Sequence, residues 1–474
     1  MNMPVKIQRE ALAPRQDRDA AYALAEHEVA LRFEDIPKDV MEVTKKDILD
    51  VIAVSIAGSS VGMGCKEIVE LVKESGGREE STIFGYGGKV PAWMAAFANG
   101  SMAHALDYDD TLDDGATHIG AGTIPAALAV AERVGGVSGK ELIAAVTGGL
   151  DIGGRIAMAA QPKGIIVGTW VMPMIGGYFS GAAAAGRILG LDAGQMVNAL
   201  GLAFSQCSGA FEIIWGVGSL KGIYPSYVGK STVLAALMAS RGVAGPKDSL
   251  EGKAGLFPLY YGGIYDRETL TQNLGSRFYG ADISFKPWPC CRWSHTSVDV
   301  VLGMVQEHGI RAADVEQVKV WTNEVSQPLF EPLAIRQNPT NLTEAQFGLP
   351  YILAAAIAKG RLGIGSFTAE GRKDPEILQL ARKVVSQQVA RIPGRDFATK
   401  VEIKSTKGTY VREADMAYGH PKKPISMDDL IKKAEDCFDY AIKPIPKDRS
   451  RRVIDRLVNL ERESDVAEIV GMLS

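Results

Sequence analysis

Aromatic side chains, histidines and cysteines are all scarce in this chain. Aromatics make up 7% of its 474 residues, while glycine occurs 52 times. Many small residues and few rings point to closely packed helices, because small side chains let backbones approach. The five cysteines, Cys65, Cys207, Cys290, Cys291 and Cys437, are odd in number and lack the spacing of a metal framework. That excludes a disulfide scaffold or a zinc module and fits reduced thiols in a cytoplasmic protein. No basic run interleaved with aromatics occurs, and the net charge is -4. No nucleic-acid partner is therefore expected. The stretch from Met1 to Asp19 is polar and has no apolar core, so no secretory leader is expected there. One uncharged run, Gly164 to Gly186, is long enough to span a membrane. It is interrupted by glycines and a proline and lacks flanking basic bias. The expectation is a loop followed by a buried Ala-rich helix from about Gly177, with no membrane partner.

What is present before residue 280 reads as helix. Val40 to Ala57 becomes apolar nearly all round, as a helix entering a core does. Pro91 and Pro125 each stand where a helix start tolerates proline. The second of these helices stops at Gly135-Gly136, and Ser138 with Glu141 forms a capping-box signature for the next. Further helices are expected over "AAAAGRILGL", "AGQMVNALGLAFS" and "KSTVLAALMASRGVAG". Alternation begins only later. Val315, Val318 and Val320 make a short β-branched run. Val401 and Ile403 alternate with Lys400, Glu402 and Lys404 ahead of a turn at Lys407-Gly408. After residue 416 the pattern returns to helix. The fold class expected is mainly α, with two or three domains from the length. The expected boundaries are a helical domain over 1–283, a smaller α+β lid domain over 284–416 and a helical return over 417–474. Two phosphate-loop look-alikes fail. "GKST" at Gly229 to Thr232 has Tyr224 where the required glycine should be, and "GVGSLKG" from Gly216 misplaces its third glycine.

Polar chemistry concentrates in three places. The first is Asn99 to Gly122, "NGSMAHALDYDDTLDDGATHIGAG", which holds His104, His118 and five carboxylates. If the helix continues past His104, Asp107 shares its face. A carboxylate beside a histidine fixes its tautomer and tunes it for acid or base work. Asp109 and Asp110 are expected as scaffolding, and Asp113 and Asp114 as solvated loop residues. The second place is Lys221, in a Gly-rich loop between apolar helices, a clamp for a substrate carboxylate or a desolvated base. The third is Phe285 to Val300, "FKPWPCCRWSHTSVDV". Here Arg292 offers a fork suited to carboxylates, and His295 is another acid or base. Adjacent Cys290 and Cys291 do not easily bridge. A metal-dependent hydrolase built on His104, Asp107, Asp110 and His118 stays open on the residues alone.

Together these segments resemble the 2-methylcitrate dehydratase (MmgE/PrpD) family, which also contains cis-aconitate decarboxylase and iminodisuccinate epimerase. The resemblance rests on "LRFEDIPKDVMEVTKKDILDVIAVSIAG", "NGSMAHALDYDDT…HIGAGTIPAALAVAE", "GRILGL", "KPWPCCRWSHTSVDV" and "EAQFGLPY", in that family's order. It implies a mostly helical domain with an inserted lid, a homodimer, and chemistry on small di- or tricarboxylates without metal or organic cofactor. That chemistry moves a proton next to a carboxylate, with loss of water, loss of CO2, or inversion. By motif position, Asp107, His118, Lys221 and His295 are implied as catalytic and His104, Lys286 and Arg292 as substrate-binding. The chain departs from the pattern at three places. Val171, after Trp170, stands where many members have histidine. Gly222 and Tyr224 stand where many have arginine and histidine. In "LAIRQNPT" only Arg336 remains of a polar run. A less polar pocket is expected. The reading is a metal-independent hydro-lyase resembling 2-methylcitrate dehydratase, with an epimerase or decarboxylase as the alternative and a hydrolase or a non-enzymatic binding protein behind them.

Overall fold

The computed structural model describes residues 18–160, 174–209, 213, 218–322, 326–389 and 398–474. Trp170 and Val171, the first part of the uncharged run and the start of "GVGSLKG" lie outside the described residues. The fold is mainly α, as expected. The helices that matter here are α1 Ala20–Ala30, α2 Lys38–Val61, α3 Ala92–His104, α4 Gly120–Val134, α5 Gly139–Ala159, α6 Gly177–Ile188, α7 Pro225–Ala239, α8 His295–His308, α9 Leu349–Lys359 and α10 Met427–Asp439.

Helix α3 is the hub of the first half, packing on α2, α4 and α7. The approach of α3 to α7 explains the poverty of large side chains. A methyl group added at Gly229 of α7 would lie 2.7 Å from the Ala96 carbonyl oxygen. One added at Gly100 of α3 would lie 2.8 Å from that of Pro225. The two backbones touch, and only glycine permits it. Helix α10 returns from the end of the chain to pack on α2. Helix α5 is long and apolar enough to cross a membrane, but it is buried along its length between α6 and its neighbours, as a core helix is.

Local signals account for several boundaries. The Ser138 hydroxyl accepts from the Glu141 N–H at 3.2 Å to start α5, and Ser426 accepts from the Asp429 N–H at 3.0 Å to start α10. Two expectations are corrected. Pro125 does not open its helix, because α4 begins five residues earlier. The Asp110 carboxylate accepts from the Ile119 and Gly120 N–H groups at 3.2 and 3.1 Å and nucleates the turn from outside the helix. Helix α3 does not run on past His104. The Asp107 N–H donates to the His104 carbonyl at 2.8 Å, and Asp107 itself is left-handed at φ 49°.

The four-stranded sheet comprises β1 Val315–Thr322, β2 Val384–Gln388, β3 Thr399–Ser405 and β4 Gly408–Ala414, in the order β2-β1-β3-β4. Strand β1 pairs antiparallel with β3, Val318 opposite Ile403 and Val320 opposite Val401, and the β3–β4 hairpin closes with Ser405 opposite Gly408. The expected valines face inward. Strand β2, "VVSQQ", pairs parallel to β1 and was not expected, because only Val384 of it is buried. Helix α8 packs on β3 and β4, and α9 on β2.

One core group has no part in the chemistry described below. Glu28 of α1 is fully buried against Gly148 of α5, and neither carboxyl oxygen has a hydrogen-bond partner among the described residues. Burial pushes its pKa up to about 8. Glu141 and Asp151 add to the rise and Arg187 opposes it. The folded chain therefore keeps a proton that the unfolded chain releases above pH about 4.5. The associated stability is complete below that pH and is lost progressively as pH rises towards about 8. The isosteric Glu28→Gln, which never ionises, should melt higher than the parent at pH 8, with the gap closing towards pH 5. Differential scanning calorimetry across that range checks this, and a gap independent of pH would refute it.

Candidate active site

The site forms where the 105–119 loop, between α3 and α4, meets the chain entering the sheet-bearing segment. Two backbone bonds join them: Thr111 N–H to the Ser284 carbonyl at 2.9 Å, and the reverse at 2.7 Å. The five carboxylates of the loop have different fates. Asp107, Asp109 and Asp110 are buried, and Asp114 is exposed. Asp113 is not the solvated residue expected. Its carboxylate takes Arg292 Nε at 2.9 Å and a terminal guanidinium nitrogen at 2.6 Å, and accepts from the Ser284 hydroxyl at 2.6 Å.

Asp107 lies between two ammonium groups. Lys221 Nζ is 3.0 Å from Oδ2, and Lys286 Nζ is 2.5 Å from Oδ1 and 3.0 Å from the Asp107 carbonyl. Burial alone would raise this carboxyl. The two lysines, with His104 and His118 beyond them, overcome burial and hold it well below the usual carboxylate range. Burial likewise opposes the charge of Lys286, and Asp107 and Asp109 reverse that, raising its pKa. Behind them, Lys433 of α10 reaches Asp50 at 2.6 Å and donates to the carbonyls of Tyr108 at 2.7 Å and Lys286 at 2.9 Å.

The partners of each histidine assign its tautomer. His118 Nδ1–H donates to the Asp110 carbonyl at 2.6 Å, which leaves Nε2 as a lone-pair acceptor on a ring 15% exposed. His104 is fully buried. Its Nδ1–H donates to Asp109 Oδ1 at 2.7 Å, and its Nε2 accepts from Lys221 Nζ at 2.9 Å. Burial, then Lys221 and His118, bring its pKa down to about 3 against the pull of Asp109, so the ring is neutral. The rings of His104 and His118 are 4.5 Å apart, and Asp109 Oδ2 lies 3.4 Å from His118 Nδ1. Burial would raise Asp109, and the two histidines hold it well below its ordinary value.

Asp47 and Asp110 behave oppositely. Both flank Gly120, where a methyl group would come within 2.6 Å of each carboxylate. Burial and Asp109 push Asp110 up to about 6, and burial and Asp110 push Asp47 well up. Carboxyl groups whose ionisation burial disfavours thus support the start of α4, while one held well below the usual range faces the lysines.

The structure brings Asp107, His118, Lys221, Lys286 and His104 into one cluster. It alters three expectations. His104 has both ring nitrogens engaged by protein and cannot offer one to a substrate. Arg292 has its fork on Asp113, so it ties the loop to the sheet-bearing segment. His295 is fully buried against Trp288, with Nε2–H donating to the Cys290 carbonyl at 3.1 Å, and burial holds its pKa well down. Its Nδ1 is buried and lacks a hydrogen-bond partner among the described residues.

Residues not singled out from sequence complete the arrangement. Lys221 Nζ stands 4.8 Å over the Phe347 ring. Gln346 Nε2 donates to the Ala105 carbonyl at 3.3 Å while its own carbonyl accepts from the Cys291 N–H at 3.0 Å. Both residues sit inside "EAQFGLPY". Lys433 was findable too, since it falls on the buried stripe of α10 with Leu430, Ala434 and Cys437. Gly222 packs against Ala105, 3.2 Å from a notional methyl to its Cα, and buried Tyr224 donates to the Ser208 carbonyl. The departures at these two positions are thus accommodated by packing.

Ligand atoms of His104, Asp107 and His118 lie within 4.8 Å of one another, which is metal-like spacing. The donor chemistry does not fit a dication. Lys221 sits against both His104 Nε2 and Asp107 Oδ2, Lys286 holds Asp107 Oδ1, and Asp110 faces the start of α4. What the cluster suits is an organic anion placed between two fixed cations and an open imidazole nitrogen.

Two family models together match most of the chain. The MmgE/PrpD N-terminal domain model matches residues 22–267, and the MmgE/PrpD C-terminal domain model matches residues 288–460. A cis-aconitate decarboxylase of Aspergillus terreus is 26% identical over 464 residues, covering 94% of each chain. That of Mus musculus is 26% identical over 459 residues, covering 94% of this chain and 91% of its own. That of Homo sapiens is 24% identical over 470 residues, covering 96% and 94%.

Asp107→Asn should leave two ammonium groups facing each other without their counter-charge and cost about 3–5 kcal/mol of stability. Millimolar sulfate or a small dicarboxylate should recover part of the lost Tm, while zinc or magnesium should not. Thermal unfolding with each addition tests both arms. Rescue by a divalent cation would overturn the assignment.

Proposed function

The chain belongs to the MmgE/PrpD family, and from that premise we propose that it is a lyase of a small di- or tricarboxylate, breaking a bond next to a carboxylate without a metal. The observation that carries this reading is the Lys221–Asp107–Lys286 arrangement beside the open Nε2 of His118. Two cations against one buried carboxylate leave a surplus positive charge, which suits one substrate carboxylate. When a bond at the adjacent carbon breaks, its electron pair delocalises into that carboxylate, and the fixed lysines stabilise the developing charge.

Decarboxylation is the first reaction to assay, in place of the hydro-lyase reading made from sequence. It requires a single proton donor. Among the described residues of the cluster, His118 is the imidazole with both an accessible ring and an unengaged nitrogen. The carbon–carboxylate bond breaks and CO2 leaves. His118 Nε2, open in the resting site, takes a proton from solvent and then gives it to carbon, while Nδ1–H stays on the Asp110 carbonyl. The cis-aconitate decarboxylases matched along nearly the whole chain support the same choice. Dehydration is the second reading, favoured by the Lys221 ammonium group, a possible acid for a departing hydroxyl while His118 acts as base. In either reading the segment between 284 and 416 is proposed as the lid.

A panel of unsaturated and hydroxylated polycarboxylates assayed in D2O tests the proposal. Release of CO2 with one solvent deuterium on the product carbon is expected. His118→Asn should lower kcat by about 10²–10⁴-fold with a smaller change in KM. A chain that neither binds nor turns over any member of the panel, or a fully active His118→Asn, would refute it. Loss of water without CO2 would select the second reading.

A further inference from the structure

The contacts of Lys221 run back through the protein in a line: Lys221 Nζ to His104 Nε2 at 2.9 Å, then His104 Nδ1 to Asp109 Oδ1 at 2.7 Å. Neither His104 nor Asp109 is exposed at all. We propose that Asp109 and His104 are positioning residues for Lys221, with Asp109 locking the imidazole in the tautomer whose Nε2 accepts from the ammonium group. This deepens the proposed function and rests on its assignment of Lys221 to the substrate carboxylate.

The argument is one of hydrogen-bond polarity. An ionised carboxylate only accepts, so Nδ1 must carry the ring proton. Nε2 then carries a lone pair and can only accept, and the partner facing it is an ammonium, which can only donate. Every polarity along the line is satisfied in one way. Asp107 Oδ2 forms an ion pair with the same nitrogen at 3.0 Å, and the Phe347 ring flanks it at 4.8 Å. One hydrogen bond, one ion pair and one ring thus hold the ammonium group from three sides. The flexible lysine stem, which otherwise loses rotamer entropy on binding an anion, is aimed before a substrate arrives.

The same geometry says what breaks the device. Asparagine at 109 preserves shape but can present an N–H to His104 Nδ1. The ring proton then moves to Nε2, and an imidazole N–H faces an ammonium, donor against donor. A tautomer reversal of this kind is the established consequence of the same replacement behind a protease catalytic histidine. Glutamine at 104, by contrast, retains a donor for Asp109 and an acceptor for Lys221, whereas leucine at 104 retains neither.

The test uses the full-length enzyme with ring-15N-labelled histidine, His104 being assigned by the signals that vanish in His104→Gln. In the parent, the Nδ1-protonated pattern is expected; in Asp109→Asn, the Nε2-protonated pattern. Neither spectrum needs substrate, so this arm stands whether or not the proposed reaction is found. On a substrate that turns over, Asp109→Asn should lose about 100-fold or more in kcat. His104→Gln should keep at least about a tenth of parental kcat, and His104→Leu should fall with Asp109→Asn. An Nε2-protonated His104 in the parent, an unmoved tautomer in Asp109→Asn, or equal loss in His104→Gln and His104→Leu would each overturn the proposal. A parent that turns over nothing while its tautomer reverses as described would uphold the positioning and refute the reaction.

Discussion

The contact on which the rest depends is the buried carboxylate of Asp107 held between the ammonium groups of Lys221 and Lys286. Charges taken out of water cost several kcal/mol each, and such a cluster persists only if geometry and further hydrogen bonds offset that cost. Three chain segments must therefore arrive together: the turn after α3, the loop before α7 and the strand-like stretch after Ser284. Each is fixed by something remote from the charges. The left-handed backbone at Asp107 swings its side chain out of the line of α3. Gly222 lets the Lys221 turn press onto Ala105. Lys433, from a helix near the end of the chain, holds the carbonyls on either side.

Around this contact the protein keeps two populations of buried carboxyl groups. Asp107, Asp109 and Asp113 face cations or imidazoles. Asp47 and Asp110 face each other across Gly120 and the first N–H groups of α4, and their pKa values are raised. Burial and like charge disfavour ionisation of the second group behind His118, while the first group supplies negative charge where lysines need a partner. The division follows from position. Asp109 and Asp110 are neighbours in sequence, yet Asp109 meets the imidazoles and Asp110 the first N–H groups of α4, and their pKa values shift in opposite directions for that reason.

The fold class was legible from periodicity, because the helices carry apolar faces and a few carry their own caps, as α5 does with Ser138 and α10 with Ser426. What escaped were boundaries set from outside an element. Helix α4 starts at Gly120 because Asp110 caps it, and no local pattern around Pro125 carries that information. Strand β2 escaped because its partner β1 supplies the order that "VVSQQ" does not advertise. In the site, residue types pointed to the right cluster but not to the division of labour within it. His104, His118 and His295 look alike in sequence. They differ in which nitrogens the backbone and neighbouring carboxylates occupy, a property of three-dimensional contact alone. Asp113 and Arg292 lie 179 residues apart, too far for either to announce the other.

That division bears on how a loop so rich in acid can handle an acidic substrate. Five aspartates near an anion site would repel the ligand if all were free and ionised. Here Asp113 is matched by Arg292, Asp109 lies beside two histidines, burial and Asp109 raise the pKa of Asp110, and Asp114 is exposed. Asp107 alone faces the lysines directly, and its two cations outnumber it. The acidity of the loop thus organises positive groups, holding Lys221 and Lys286 on either side of Asp107. A basic loop of the same length would carry more charge but would have nothing to aim it.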